Sequence, residues 1–470
     1  MKTIPRLILT GLIAATGGCA FTPRQQTPKM QIPAHFKEGK GWKLAKPAAH
    51  MPRGEWWGIF HDAELGAILK AVNVSNQSLQ SAAAVAEQTA ARLKGAKLAF
   101  LPTAGINASG TRSKSGAAGG SANTNSLTSS GGPGVHDILS VTGSANWEMD
   151  LWGRLRHGAG AATADLQAAQ ANVESTRLSL QLQAAQAYFS LRAIDGQQQL
   201  LEREVANYQK ALDLTRNREQ QGVASAADIA LAQTQLATTR VAMIELDVQR
   251  STLEHALATL TGRPPAAFAV KRGRLAATIP SLPSSTPSVL LERRPDIAAA
   301  ERRVAAANER VGAARAAFFP TLTLSADTGW RGLINLFAKS NNFWSLGADA
   351  AIALLDSGQR IAAKAQADAA WRQTVADYRQ TVLSALQNAE DALATLRILA
   401  RESVAQDEAV HAARESEGIA LNQYKAGTVS YINVTTAQAA SLAAENNAIN
   451  LRSRRLNATV ALITALGGGW

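Results

Sequence analysis

Aromatic residues and cysteine are both scarce in this sequence. Aromatics make up 5% of its 470 residues, and Cys19 is the single cysteine. Because aromatic side chains fill thick globular cores, their scarcity argues against a compact globular fold. One cysteine excludes an intramolecular disulfide. Hydrophobic residues still make up 46% of the chain, and alanine is abundant. This composition is typical of long, thin helical bundles with close helix packing.

The charge of the chain is strongly positive but dispersed. The formal net charge is +12, and the Lys and Arg residues are mixed with Asp and Glu along the predicted helices. They do not alternate with aromatic residues, as they do on many nucleic-acid-binding surfaces. We interpret these charges as solvated helix faces and expect no nucleic-acid partner.

No arrangement of residues indicates catalysis. The seven histidines lie far apart in the sequence, and none has the spacing of a metal-ligand pair. The adjacent carboxylates of Glu390 and Asp391 point to different parts of a helix surface and do not form an acid–base pair. We therefore expect neither enzymatic activity nor a bound metal or cofactor.

The N-terminus predicts export and lipid attachment. Lys2 and Arg6 precede a short apolar run, which indicates a signal peptide over residues 1–18. Gly18-Cys19 resembles a bacterial lipobox, with Thr16 where leucine is usual. The alternative is an incidental cysteine. We predict that Cys19 is lipidated. The residue that follows it, Ala20, favours delivery of the lipoprotein to the outer membrane. Residues 19–55, rich in Pro, Lys and Gly, are predicted to be a tether.

Two stretches of the sequence repeat each other. Residues 216–236 align with 421–441, so that Gly222 matches Gly427 and Ser225 matches Ser430. Glycine favours the left-handed turn that ends a helix, and serine favours the start of the next helix. Each copy therefore predicts the tip of a helical hairpin. The predicted tip residues are Gly222, Val223, Ala224, Ser225, Gly427, Thr428, Val429 and Ser430.

The repetition extends over most of the chain. The pattern predicts a first repeat over 56–262, a connector over 263–290 and a second repeat over 291–470. Each repeat contains a helix, a β-hairpin (about 102–150 and about 320–356) and a long helical hairpin. The helices before the two tips run for more than 60 residues without proline, which requires a coiled coil or a helical barrel.

The predicted strands alternate apolar and polar residues. The last strand is the clearest, with Trp344, Leu346 and Ile352 on the apolar face, which we predict to face lipid. Four strands are fewer than the roughly eight that the smallest membrane barrels use. Several chains would have to share one barrel, because an open sheet edge is unstable in lipid. The alternative is a non-conducting coiled-coil envelope lipoprotein with two surface hairpins.

The sequence resembles the TolC-like outer membrane factors, in particular their NodT-type lipoprotein branch. The resemblance spans nearly the whole chain and is carried by the tips, by LERRPDI at 291–297, by FPTL at 319–322 and by WEMDLWGR at 147–154. It implies a mainly helical fold, a homotrimer with a shared 12-stranded β-barrel and a periplasmic α-barrel. It further implies a passive exit duct for drugs, toxic compounds or metal ions. A periplasmic adaptor and an inner-membrane pump, of the RND type, would be its partners. A duct for type I protein secretion is the alternative within this family.

The resemblance also gives the tips a role. In the family, the tips close the duct at rest and contact the adaptor. Many members carry an acidic residue just after the second tip glycine, whereas this chain has Thr428 and Val429 there. The resemblance therefore does not extend to an acidic ring at this level.

Overall fold

The structure is a computed structural model, which describes residues 55–114, 135–276, 279–280, 294–332 and 335–468. The signal peptide, Cys19 and nearly all of the tether lie outside the described residues, as do residues 277–278 and 281–290 of the connector. The order helix, two strands and two long helices occurs twice. The helices are α1 (Ala63–Ser75), α2 (Gln77–Leu98), α3 (Arg154–Gln220), α4 (Ala226–Leu260), α5 (Pro295–Ala316), α6 (Gln359–Ala426) and α7 (Tyr431–Ala465).

The fold is mainly helical with one sheet, as predicted. Its strands are β1 (Thr103–Lys114), β2 (Val135–Met149), β3 (Thr321–Gly332) and β4 (Asn342–Ala351). β3 stays paired with β2 to its end, where Trp330 lies opposite Val141, Arg331 opposite Ser140 and Gly332 opposite Leu139. Among the described helices, none combines the length and the apolar character that crossing a membrane requires.

The chain divides into two compact units that do not coincide with the sequence repeats. The first contains Gln88–Leu166 and Arg302–Ala376, and therefore all four strands. The second contains residues 55–87, Gln167–Glu301 and Asp377–Trp470. Each unit thus combines segments from both repeats.

The WEMDLWGR stretch begins the long helix α3 within the first unit. Asp150 accepts hydrogen bonds from the backbone N of Leu155 and of Arg156, each at 2.9 Å, and so satisfies amides of the first helical turn. Trp152 stacks on Phe319 with ring centroids 4.8 Å apart, and its Nε1 donates to the carbonyl oxygen of Pro320 at 2.7 Å. This stretch thereby fixes the junction after β2 to the junction before β3.

The LERRPDI stretch has a comparable role in the second unit. Pro295 is the first residue of α5, where its missing N–H has no helical partner to lose. Arg294 donates from Nη1 to the carbonyl oxygen of Ala465 at 2.7 Å, and its Nη2 lies 2.7 Å from Oδ2 of Asp296. Because Ala465 ends α7, the arginine satisfies a terminal carbonyl of that helix. The motif joins the start of α5 to the end of α7.

The largest hydrophobic cluster lies in the second unit, where α1 and the short turn at Trp56–Phe60 pack on α3, α4 and α7. Trp56 is 3% exposed, and the ring of Phe60 lies 5.1 Å from that of Phe189. Five aromatic residues of this aromatic-poor chain thus pack together in one cluster.

The end of α4 provides a test of this packing. Gly262 has φ +69°, and a Cβ atom there would lie 2.1 Å from the carbonyl oxygen of Ser75. We expect Gly262→Ala to destabilise the protein by about 2 kcal/mol or more, because backbone strain adds to the clash. Gly418→Ala is the control, since Gly418 lies within α6 with no atom close to such a Cβ. The measurement is the midpoint of thermal unfolding, and equal midpoints for the two variants would contradict the prediction.

Candidate functional site

The four strands form one antiparallel sheet in the order β1-β2-β3-β4. Ala145 of β2 lies opposite Ala104 of β1 and also opposite Ala326 of β3, which in turn lies opposite Leu346 of β4. Because opposed residues of antiparallel strands share a face, this row of apolar side chains crosses the whole sheet. The sequence predicted two hairpins, and the pairing of β2 with β3 joins them.

The apolar face of the sheet is open. Ile106 is 84% exposed, and Trp344 and Leu346 are each 77% exposed. No described residue of the chain covers these three side chains. Apolar side chains so arranged are usually covered by a partner or by lipid, and the lipid-facing role of Trp344 and Leu346 stays a prediction.

The opposite face of the sheet is polar. The hydroxyl oxygens of Ser109 and Ser140 lie 2.8 Å apart across β1 and β2. Ser345 Oγ donates to Oδ2 of Asp327 at 3.3 Å across β3 and β4. The alternation predicted from sequence is therefore present as two continuous faces, one apolar and one polar.

Ile352 corrects the predicted extent of the last strand. It lies one residue beyond β4, which ends at Ala351 opposite Thr321. The residue before Thr321 is Pro320, which has no N–H and cannot extend the ladder. The prediction that Ile352 belongs to the strand is therefore wrong.

The two outer edges of the sheet carry unpaired backbone groups. In the part of the chain that the structure describes, β1 and β4 each pair with one strand only. Strand edges of ten or more residues are templates for pairing with another strand. The sheet of a single chain is therefore incomplete.

The tips lie in the second unit, and their glycines have the predicted conformation. Gly222 has φ +73° and Gly427 has φ +76°. The next residue at each tip, Val223 or Thr428, donates its backbone N–H to a carbonyl five residues earlier, at 2.8 and 3.0 Å. This is the Schellman arrangement, which satisfies carbonyls at the end of a helix. Both tips thus reverse the chain by the same backbone geometry.

The two tips differ in how the following helix begins. Ser225 forms a capping box with Asp228, in which each side chain bonds the backbone N–H of the other residue. Ser430 also occupies the N-cap position, but its side chain makes no cap hydrogen bond. The equivalent of Asp228 is Asn433, as the alignment shows. The predicted capping role is confirmed in full at the first tip only.

A buried cluster joins the two hairpins beside the tips. Tyr208 and Leu212 of α3 pack in one cluster with Leu236 of α4, Tyr424 of α6 and Tyr431 of α7. Burial raises the pKa of Tyr431 to about 12, so this tyrosine is neutral at physiological pH.

Side chains of the two tip turns differ in exposure. Val429 of the second tip packs against the buried cluster of Tyr208, Tyr424 and Tyr431, whereas Val223 of the first tip is 61% exposed. Ala224 and Thr428 lie in the same two turns. The first tip therefore presents an apolar side chain to the outside of the hairpin pair, and the second directs one into the core.

Arg218 links the first hairpin to the second. Its guanidinium carbon lies 4.8 Å from the ring centroid of Tyr424, and Nη1 donates to the carbonyl oxygen of Lys425 at 2.9 Å. A Cβ atom at Gly427 would lie 3.5 Å from Nη2. The cation therefore lies over an aromatic ring at the negative end of the α6 dipole.

Sequence reasoning identified the turn residues but missed Arg218 and Tyr424. A tip glycine followed by serine is a local signal that can be read from neighbouring residues. The contact of Arg218 with Tyr424 joins residues of different repeats, and no local sequence pattern indicates such a contact.

These features define a class of protein. An antiparallel sheet with one apolar face and unpaired edges, in a chain that also has long helical hairpins with glycine tips, is typical of an outer-membrane channel.

The sequence profile of the outer membrane efflux protein family matches residues 68–263 and 286–468. The toluene efflux pump outer membrane protein TtgC of Pseudomonas putida is 29% identical, over 100% of this chain and 96% of its own. The pyoverdine export outer membrane protein OpmQ of Pseudomonas putida is 30% identical, over 100% of this chain and 98% of its own.

Structural comparison agrees with the sequence comparison. The outer-membrane channel OprN superimposes with a TM-score of 0.86 at 26% identity, over 96% of this chain and 100% of that chain. The chain therefore belongs to the outer membrane efflux protein family. It is an outer-membrane efflux channel component, with a long helical extension into the periplasm.

The lipid-facing role of the apolar face can be tested by comparing one charged substitution on each face of the sheet. We expect Leu346→Arg to destabilise the membrane-inserted protein by about 2–4 kcal/mol, as a charge on the lipid face of a barrel does near mid-bilayer. Ser345→Arg is the matched control, because Ser345 lies on the polar face beside Asp327. The measurement is the yield of folded protein in outer membranes and its unfolding by denaturant in lipid. Equal effects of the two substitutions would contradict a lipid-facing role for Leu346.

Proposed function

We propose that three copies of the chain form the passive outer-membrane exit duct of a tripartite efflux system. The observation that carries this proposal is the open, two-faced sheet. Each unpaired backbone N–H or C=O in lipid costs several kcal/mol, so edges such as those of β1 and β4 require partners. Three chains of four strands give twelve strands, which is within the range of closed membrane barrels.

Exposed apolar stripes on two helices support the same assembly. Val241, Ile244 and Val248 of α4 are 59–67% exposed and recur every three or four residues, which places them on one helix face. Between residues 377 and 426 of α6, four large apolar side chains are also at least half exposed, and they fall within about 120° of one another at 3.6 residues per turn. These are Leu383, Ile398, Val404 and Ile419. We propose that these stripes pack against neighbouring copies and close a periplasmic helical barrel.

The proposed duct does no chemistry of its own. Members of the family are outer-membrane channels, and we propose that this chain is not an enzyme and binds no cofactor. Energy would come from an inner-membrane pump of the RND type through a periplasmic adaptor that contacts the tips. Relatives are named for cargoes as different as toluene and pyoverdine. We therefore propose small molecules as the cargo, selected by the pump.

We propose that Cys19 carries the covalent lipid that anchors the N-terminus. A single acyl chain gives only marginal membrane binding, so several chains or a second membrane element are needed for stable anchoring. A sheet completed by neighbouring copies would supply that second element.

Native mass spectrometry of the protein purified from outer membranes tests the assembly and the lipid together. We expect a particle of three chains, each heavier than the chain from residue 19 onward by its acyl groups. Ile244→Arg should shift the particle toward single chains, because it buries a charge between copies. Lys210→Arg, an exposed and charge-conserving change on α3, is the control. A wild-type monomer that leaves the membrane without detergent would refute the shared barrel.

We propose that Arg218 holds the two tips together in the resting duct. Arg218→Ala removes a cation–π contact worth about 0.5–2 kcal/mol and a hydrogen bond to Lys425. We expect a higher conductance of the purified protein in planar bilayers, since the hairpins separate more easily. Arg216→Ala is the control, because Arg216 pairs with Asp213 on its own helix. Unchanged conductance in Arg218→Ala would show that this contact does not restrain the tips.

A further inference from the structure

A carboxylate lies buried inside the second unit, far along the sequence from either tip. The side chain of Asp195 on α3 is 1% exposed. Its Oδ1 accepts a hydrogen bond from Nε of Arg250 at 2.9 Å. Its Oδ2 accepts from Nη1 of Arg192 at 2.9 Å and from the backbone N of Gly273 at 3.0 Å. Burial of a charge is tolerated only with such a set of partners.

The same arginines hold the segment that follows α4, residues 268–276, which we call the strap. Arg192 donates to the carbonyl oxygen of Lys271 at 2.6 Å, and Arg250 donates to that of Val270 at 2.6 Å. The backbone N of Val270 donates to Oε1 of Glu254 at 2.5 Å. The strap has no regular secondary structure at these positions, so side chains of α3 and α4 supply the partners of its backbone.

The network also reaches the start of α1. Arg192 forms an ion pair with Glu64 and lies with its guanidinium carbon 4.8 Å from the ring centroid of Tyr188. Tyr188 donates to Oδ2 of Asp62 at 2.7 Å, and Asp62 caps α1 through its other oxygen. Burial and the bond to Asp62 raise the pKa of Tyr188, so it remains a donor at physiological pH. One arginine thus contacts α1, α3 and the strap.

The strap fits this network closely. A Cβ atom at Gly273 would lie 2.7 Å from Nη1 of Arg192. Val270 is 4% exposed and belongs to the largest hydrophobic cluster of the second unit. The backbone of the strap is therefore held by hydrogen bonds at the same position where the Val270 side chain is buried.

At the aligned positions, the second repeat has the two arginines of this network but not the acids Asp195 and Glu254. In the alignment that matches Gly222 with Gly427, Arg192 corresponds to Arg397 and Arg250 to Arg455. Asp195 corresponds to Ala400, and Glu254 corresponds to Thr459. Arg455 instead donates to the hydroxyl of Ser403 at 3.0 Å. The buried acidic centre is thus a property of the first repeat alone.

We propose that the Asp195 network is a clamp by which the strap locks α1 to the two helices of the first hairpin, α3 and α4, as one rigid collar. The second hairpin has no acid at the corresponding positions and lacks this lock. The clamp would keep the collar unchanged while the tips rearrange. This inference goes beyond the proposed channel function and does not depend on it.

Hydrogen exchange of the full-length protein in detergent tests the clamp, with peptides that cover the strap read by mass spectrometry. In the wild-type protein, we expect strap amides such as those of Val270 and Gly273 to exchange as slowly as the middle of α3. Rapid exchange of the strap in the wild-type protein would overturn the proposal without any substitution.

A substitution and a matched control extend the test. Asp195→Asn keeps the shape of the side chain but removes its charge, and we expect strap exchange to rise at least tenfold while α6 and α7 are unchanged. Arg272→Ala is the control within the strap, because its half-exposed guanidinium forms surface ion pairs with Glu202 and Asp247. Unchanged strap exchange in Asp195→Asn, or an equal rise in Arg272→Ala, would overturn the clamp.

If Asp195→Asn fails to accumulate, the wild-type rates decide the question. The exchange measurement requires no conduction and no assembly with a pump. Its failure would therefore leave the proposed channel function standing, and the failure of trimer formation would leave the clamp standing.

Discussion

The hydrogen-bonding requirement of the strand edges governs the architecture of this protein. A four-stranded sheet leaves two rows of backbone groups unpaired, and lipid offers them no partners. The apolar face of the sheet is equally incomplete, because no described residue covers it. In the proposed assembly, each sheet edge would meet the opposite edge of a neighbouring copy, which would satisfy both rows of backbone groups.

The chain contains two similar halves, which differ in the side chains around their hairpins. The tips share the left-handed glycine and the Schellman bonds, yet the capping box is complete only at the first. Around Asp195 the first half has a buried charge centre, and the second half has Ala400 at the aligned position. The backbone plan is thus shared by the halves, while the side-chain networks that fix each hairpin differ.

Most of the element order could be predicted from the sequence because it depends on local signals. The bounds of α4, Ala226–Leu260, follow from the glycine and serine before it and from the Thr-Gly after it. The strand faces follow from alternation, and Ile352 was misplaced only because the end of a strand depends on its partner. The partner strand, β3, begins directly after Pro320, which is distant from Ile352 in the sequence. The roles of Arg218 and Asp195 could not be predicted, because both depend on contacts with other helices. A single charged residue has no periodic sequence pattern that would indicate such a contact.

The pairing of β2 with β3 has a consequence for how the chain reaches its native state. Val141 and Trp330 face each other across that pairing, although about 190 residues separate them in the sequence. Contacts of such long sequence separation form slowly, because the entropy of closing the loop is lost before the contact contributes. The sheet of each chain therefore cannot be completed until both repeats have been synthesised and exported. In the interval, the apolar strands of the first repeat lack their partner strands, and unpaired strands of this kind are prone to aggregation.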